Sequence, residues 1–367
     1  MLIKNKIPLR YFDVPLTIVY FILLIIGLAV VYSASYSPEE GVSTLYIKQL
    51  YWLFLGIITY IIFSLINYRF LINYIFVFYF LGVLLLSYVL LTGYISMGAQ
   101  RWLDLGPFRM QPSEFFKVIW VIMLARIFND FNKEKLGIIK IIIKTLLLIP
   151  PFLLIFFQPD LGTAGIFILL WGVVLLFRGI KLRTLIALII LSIISIGLIW
   201  GNLHDYQRTR VITFINPASD PFGSGYHIIQ SKVAIGSGGL FGKGFLKGTQ
   251  SQLNFLPEKH TDFVFSVICE EFGFIGGSVL IILFLVLFYF IIQIALINRE
   301  VNAKLLCVSV ISLIFLQTFI NMAMTVGLMP VVGIPMPFIS YGGSAMITFS
   351  SLMGIVNSIS MRRFSSL

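Results

Sequence analysis

The run Val14-Pro15-Leu16-Thr17-Ile18-Val19-Tyr20-Phe21-Ile22-Leu23-Leu24-Ile25-Ile26-Gly27-Leu28-Ala29-Val30-Val31-Tyr32 decides the fold. It carries no charge and matches the roughly 20 residues that a bilayer-spanning helix needs. Lys4, Lys6 and Arg10 precede it, and Ser33, Ala34 and Ser35 follow it in the manner of a signal-peptidase site. The run is longer than a secretory h-region and further runs follow, so it reads as a retained first helix. Counting 14–33, apolar runs lie at 49–66, 70–92, 114–129, 138–157, 162–177, 184–200, 272–297, 304–326 and 343–360, ten in all. The two flanking Gln158, Pro159 and Asp160 are short, which leaves a re-entrant hairpin open beside two full spans.

Composition agrees. Hydrophobic residues make up 59% of the 367, charged residues 11%, and mean hydropathy is +1.01, outside the range of soluble domains. A net charge of +11 invites a nucleic-acid reading, but the bases sit in short clusters between apolar runs, a pattern that orients helices. Lys4, Lys6 and Arg10, then Arg69, then Arg126 with Lys133, Lys135, Lys140 and Lys144, then Arg178, Lys181 and Arg183, then Arg299 and Lys304, then Arg362 and Arg363 all fall on one side of such a bundle. The positive-inside rule places that side, and both termini, in the cytoplasm. Cys269 and Cys307 lie inside expected helices without disulfide or metal spacing. The expectation is an all-α polytopic membrane protein of about ten transmembrane helices, one domain over 1–367, with no repeat and no soluble domain.

Between expected helices 7 and 8 lies an extracytoplasmic segment, 201–262, of about 60 residues, far longer than an ordinary connection. Its apolar residues and regular Gly argue for a compact structure on the outer leaflet rather than disorder. It ends in Glu258-Lys259-His260-Thr261-Asp262-Phe263, two carboxylates and a hydroxyl beside cationic or titratable groups where a polar loop meets a membrane helix. A carboxylate near a helix start stabilises the dipole. Phe263, Val264 and Phe265 follow Asp262 at once, however, and desolvation raises a carboxyl pKa toward that of a useful base. Asp262 is therefore the candidate catalytic residue. Glu258, four residues earlier, would share its face if the turn is helical and would raise its pKa further. His260 is read as a packing or hydrogen-bonding residue.

Other constellations have plainer alternatives. Gly236 to Gly244 with Lys243 resembles a phosphate loop, but Gly244 stands where a nucleotide loop needs Ser or Thr, so no nucleotide site is expected. Tight turns are the favoured reading, a cradle for a lipid pyrophosphate the alternative. Glu114 and Lys117 share a helix face. A cation at membrane depth needs a partner, so Lys117 should pair with Glu114 or Asp160, either to fix helix packing or to bind substrate. Arg101, Arg109, Arg208, Arg210, Lys232, Lys243 and Lys247 are outer bases that the topology does not require, partly offset by Glu39, Asp104, Asp205 and Asp220. As a set they suit an anionic, phosphate-bearing ligand or lipid. Pro330, Gly333, Pro335, Pro337, Gly342 and Gly343 break helical continuity, as an external loop or as a re-entrant one shielded by protein.

Several motifs, in order, resemble the SEDS family of bacterial cell-wall polymerases over nearly the whole chain. They are Gly98-Ala99-Gln100-Arg101-Trp102-Leu103, Gln111-Pro112-Ser113-Glu114 with Lys117, Gln158-Pro159-Asp160-Leu161-Gly162-Thr163, and Asn216-Pro217 through Asp220-Pro221 to Gly225-Tyr226-His227. Gln230-Ser231 to Gly244, Leu256-Pro257-Glu258-Lys259-His260-Thr261-Asp262-Phe263, and Pro337 through Ser340-Tyr341-Gly342-Gly343-Ser344 complete the set. Lys259 stands where the family usually has Arg, which keeps the charge and loses the fork. The resemblance implies a ten-helix peptidoglycan glycosyltransferase of the elongation branch. Such an enzyme polymerises lipid II, the undecaprenyl-pyrophosphate disaccharide pentapeptide, on the outer face of the bacterial cytoplasmic membrane, with a class B penicillin-binding protein as partner. The family's essential carboxylate falls on Asp262. Expected substrate-binding residues are Glu258, Lys259, Arg101, Lys117, Glu114, Asp160, Arg210 and Lys243. A divalent ion, Mg or Mn, is a candidate cofactor of unknown ligands, and no redox cofactor is expected. A lipid flippase and a non-catalytic scaffold for a transpeptidase are the competing functions.

Overall fold

The computed structural model describes residues 11–36, 41, 43–96, 99–104, 106, 109–129, 138–201, 205–217, 220 and 223–363. Lys4, Lys6, Arg10, Glu39, Gly98, Lys133, Lys135 and Pro221 lie outside the described residues, as does the side chain of Asp205. The helices are α1 (Val14–Ser35), α2 (Thr44–Leu65), α3 (Tyr68–Asn73), α4 (Ile75–Thr92), α5 (Pro112–Ile127), α6 (Ile138–Leu146), α7 (Ile149–Phe157) and α8 (Leu161–Arg178). They continue as α9 (Leu182–Gly201), α10 (Asp205–Ile215), α11 (Ser224–Gly238), α12 (Thr249–Gln252), α13 (Val264–Ile297), α14 (Val301–Thr325) and α15 (Gly343–Met361).

Among the described residues, seven helices are long and apolar enough to cross a membrane, eight when the pair 139–146 and 149–157, bent by 55°, counts as one broken span. The 16-residue α5 and the 20-residue α9 occupy the two remaining expected runs. Local signals set the starts: Asp13 accepts from Leu16 N at 3.0 Å with Pro15 in the first turn of α1, and Asp160 accepts from Thr163 N at 3.2 Å to begin α8.

The core forms around α15, almost wholly buried and packed along α2. Gly354 permits this approach, since a methyl group there would meet the Tyr60 carbonyl at 2.5 Å. At one end of the bundle Arg362 donates to the carbonyls of Ser64 and Leu65, and Arg69 pairs with Glu300 at 2.5 Å. The opposite end carries Asp262.

Two local features depart from the sequence reading, and a third decides between alternatives that it left open. Residues 94–110 are not a plain loop but a three-stranded antiparallel sheet, β1 (Tyr94–Ser96), β2 (Ala99–Asp104) and β3 (Arg109–Met110), which holds Arg101 on its middle strand. The helix expected from 272 begins at Val264 and is broken at Gly273, whose φ of 66° leaves the helical region. The stretch from Val326 to Gly342 is irregular, and its second half is buried, with Ile334, Met336, Phe338 and Ile339 in the core. Gly27 lets it in, because a methyl group there would meet the Phe338 carbonyl. Of the two readings of that stretch, the protein-shielded one describes it.

Candidate active site

The turn bearing Asp262 is built on Glu258. With φ +46°, Glu258 aims its carbonyl at the N–H groups of Thr261, Asp262 and Phe263, at 3.2, 3.1 and 3.3 Å. The turn is not helical, so Glu258 and Asp262 do not share a helix face. Its side chain instead accepts from Thr261 Oγ1 at 3.0 Å. α14 and the buried stretch before α15 clamp this turn: Ser340 Oγ donates to Thr261 O at 2.6 Å, Tyr341 N to His260 O at 2.8 Å, and Asn321 Nδ2 of α14 to Asp262 O at 3.0 Å. His260 packs its ring against Tyr341. Gly333, at φ +72°, lies against the Asp262 carboxylate, 3.6 Å from where a methyl group would stand.

Burial raises the Asp262 carboxyl from 3.8 to about 6. The Glu258 charge pushes the same way, while Arg210 and Arg101 pull it down. These two guanidiniums act on the carboxylate from different elements, α10 and β2. Arg101 also pairs with Asp160 at 3.6 Å, whose other oxygen accepts from Gln111 at 3.1 Å. Burial likewise lowers His227 and His260 below the ordinary imidazole value, and His227 stacks on Phe263.

Lys117 chooses Glu114, at 2.5 Å, with both side chains buried. Asp160 goes to Arg101 instead. Buried polar atoms unpartnered among the described residues occur on α5 and on two helices packed against it: Glu114 Oε2, Ser113 Oγ, both amide atoms of Gln317, and Thr348 Oγ1. Gln317 lies one turn along α14 from Asn321, and α5 packs on both α14 and α15. These buried polar groups therefore lie on three helices that pack on one another.

The remaining expected residues lie apart from this centre. Lys259 Nζ reaches Ser251 O at 2.5 Å and Asn254 Oδ1 at 2.8 Å, and burial lowers its pKa. Lys243 pairs with Glu270 at 2.9 Å. Arg109 pairs with Asp104 at 3.8 Å and lies over the Tyr94 ring. The glycine-rich run splints the break in α13: Lys243 N and Gly244 N donate to the carbonyls of Glu270 and Glu271, while Gly239 O and Leu240 O accept from Phe274 and Ile275. Its amides are engaged with helix ends, as the tight-turn reading requires.

Sequence reasoning passed over Glu270, Glu271 and Asn321. The available signal was two successive carboxylates in an otherwise apolar, membrane-length helix. Among the described residues no group of three or more His, Cys, Asp or Glu side chains could hold a metal ion.

Residues 14–364 match the family model FtsW/RodA/SpoVE, described as "Cell cycle protein". The chain belongs to the FtsW/RodA/SpoVE family. Family relatives include the peptidoglycan glycosyltransferase MrdB of Escherichia coli K12, 46% identical over 272 residues and 73% of each chain. Stage V sporulation protein E of Bacillus subtilis is 33% identical over 95% of this chain and 96% of its own. Among solved structures, a chain from a peptidoglycan synthase complex that coordinates polymerization and crosslinking superposes with a TM-score of 0.81 at 27% identity, over 96% of this chain and 98% of that one. The rod shape-determining protein RodA of Thermus thermophilus gives 0.72 at 26% identity, with the same coverage. The family membership and the apolar bundle make this a multi-pass protein of the bacterial inner membrane.

Proposed function

We propose that the chain is a peptidoglycan glycosyltransferase of cell elongation that polymerises lipid II by inverting transfer, with Asp262 as general base. The observation that carries this reading is the Asp262 carboxyl, held in a turn clamped by Ser340, Tyr341 and Asn321, raised by burial to about 6 and within the field of two guanidiniums. At neutral pH such a group is ionised yet basic enough to take a proton. As the acceptor sugar hydroxyl attacks the donor's anomeric carbon, the bond to the pyrophosphate oxygen breaks. The hydroxyl proton passes to Asp262, and undecaprenyl pyrophosphate departs. One base suffices for a single displacement, whereas retention needs a nucleophile and a second acid/base group.

Arg101 and Arg210 are the cations placed to stabilise the charge that develops on the leaving pyrophosphate. Glu258 raises the basicity of Asp262, and Asp160 orients Arg101. The buried Glu114–Lys117 pair is read as part of the substrate-binding surface. Among the described residues no cluster offers a divalent ion a ready set of ligands, so a Mg or Mn ion serving the reaction would be held chiefly by pyrophosphate and water oxygens. Its role is tested by chelation and restoration of the rate.

The basic residues Arg69, Arg126, Arg178, Arg299 and Arg362 belong to the bundle end opposite Asp262, which supports cytoplasmic termini and an outward-facing site. A class B penicillin-binding protein is the proposed crosslinking partner. The deciding experiment supplies lipid II to detergent-solubilised protein, where there is no membrane to flip across. Glycan strands from the wild type and none from Asp262→Asn support the assignment. Strands of normal length from Asp262→Asn overturn it, and a wild type without product favours the flippase or scaffold.

A further inference from the structure

Glu270 takes no part in the chemistry above, yet it is fully buried and collects four donors: Lys243 Nζ at 2.9 Å, Gln250 N at 2.8 Å, Ser251 N at 3.1 Å and Thr249 Oγ1 at 3.3 Å. Three of these residues belong to α12, a four-residue helix set directly over the carboxylate. Gly248 allows that seating, since a methyl group there would lie 2.7 Å from Glu270 Oε2. From α12 the connection runs on, because Ser251 O accepts from Lys259 Nζ. Lys259 follows Glu258, whose carbonyl gathers the turn of Asp262. Asp262 in turn precedes the first arm of α13, and Glu270 lies about two helical turns along that arm. The splint of Gly239 to Gly244 across Gly273 fixes the arm's far end.

These contacts close a ring: Asp262, the 264–272 arm, Glu270, α12, Lys259, and back through the turn. We infer that Glu270 is a positioning residue for Asp262, its carboxylate anchoring α12 so that Lys259 holds the catalytic turn in place. The inference rests on the reading of Asp262 as base. It assigns Lys259 to the scaffold of the site rather than to the substrate.

The charged groups that act on Asp262 are Glu258 on its own turn, Arg101 from β2 and Arg210 from α10, with His260 two residues before it packed on Tyr341 and His227 of α11 stacked on Phe263. Neither Glu270→Gln nor Lys259→Met changes any of them. Direct charge effects of the two substitutions oppose each other, since losing an anion lowers a neighbouring carboxyl pKa and losing a cation raises it. Opening the ring instead admits water to Asp262 in both variants and lowers its pKa in both.

The test is lipid II polymerisation in detergent from about pH 5 to pH 8, with rates expressed per folded molecule. Both variants should lose kcat by on the order of 10- to 100-fold with KM changed less than about 2-fold, and both acid limbs should move to lower pH. An acid midpoint and kcat like the wild type in both overturn the inference. A raised KM with preserved kcat in Lys259→Met also overturns it, by placing Lys259 on the substrate. Should Glu270→Gln fail to fold, Lys259→Met decides alone. A wild type lacking any acid limb would defeat the Asp262 base assignment instead.

Discussion

Asn321 holds the backbone carbonyl of Asp262 at 3.0 Å, and the same amide nitrogen holds Ile334 O at 2.8 Å. One buried side chain thus ties the catalytic turn, α14 and the irregular stretch before α15 into a single unit. Asn321→Leu leaves two buried carbonyls without their donor. Each unsatisfied group costs about 1–3 kcal/mol, so thermal unfolding in detergent should show a loss of about 2–6 kcal/mol. Polymerisation should fall with it.

Asp262 makes opposite demands on stability and activity. Its folded-state pKa is raised from 3.8 to about 6, so the folded protein favours the protonated carboxyl. Stability from this group is complete below about pH 4, falls as pH rises through 6, and stays low above it. Asp262→Asn should therefore unfold at higher temperature than the wild type at pH 8, by an equivalent of up to about 3 kcal/mol, and should show no such gain at pH 4. Its polymerisation should be lost at every pH.

The rate of the wild type should rise with pH through about 6 as Asp262 becomes able to accept a proton. Arg210 pulls that value down, so Arg210→Met should move the acid limb upward. It should also slow the reaction at saturating pH, because the pyrophosphate loses a cation. A pH–rate profile for the variant checks both effects.

Lys117→Met leaves Glu114 as an unpaired charge in the bundle and should cost about 3–5 kcal/mol. Glu114→Gln with Lys117→Met removes both charges and should recover most of that stability. Recovery of melting temperature without recovery of polymerisation is the outcome expected of a pair that serves substrate. Full recovery of both would make the pair a packing device.

Gly242 sits at φ +79°, and a methyl group there would meet Glu271 O at 2.1 Å. Gly242→Ala therefore has to displace the splint from the break in α13. Hydrogen exchange should quicken over 239–246 and 264–275, with polymerisation reduced, while amides of α2 and α15 keep their protection.

The membrane class, the ten apolar runs and the choice of the Glu258–Phe263 stretch as candidate site follow from residue order alone. Apolar length, basic clusters and caps such as Asp13 and Asp160 act within one or two turns of chain, so a reader of the sequence can weigh them directly. Partner choice was not legible in that way. Lys117 had two carboxylates in reach by sequence and takes Glu114; Asp160 turns to Arg101 on a strand that no periodicity announced; Lys243 and Lys259, both outer cations, are drawn to Glu270 and Ser251. These outcomes depend on which segments meet across the bundle. An ion pair in a low-dielectric interior forms with whichever opposite charge the packing brings within a few ångströms, and packing is a property of the whole chain.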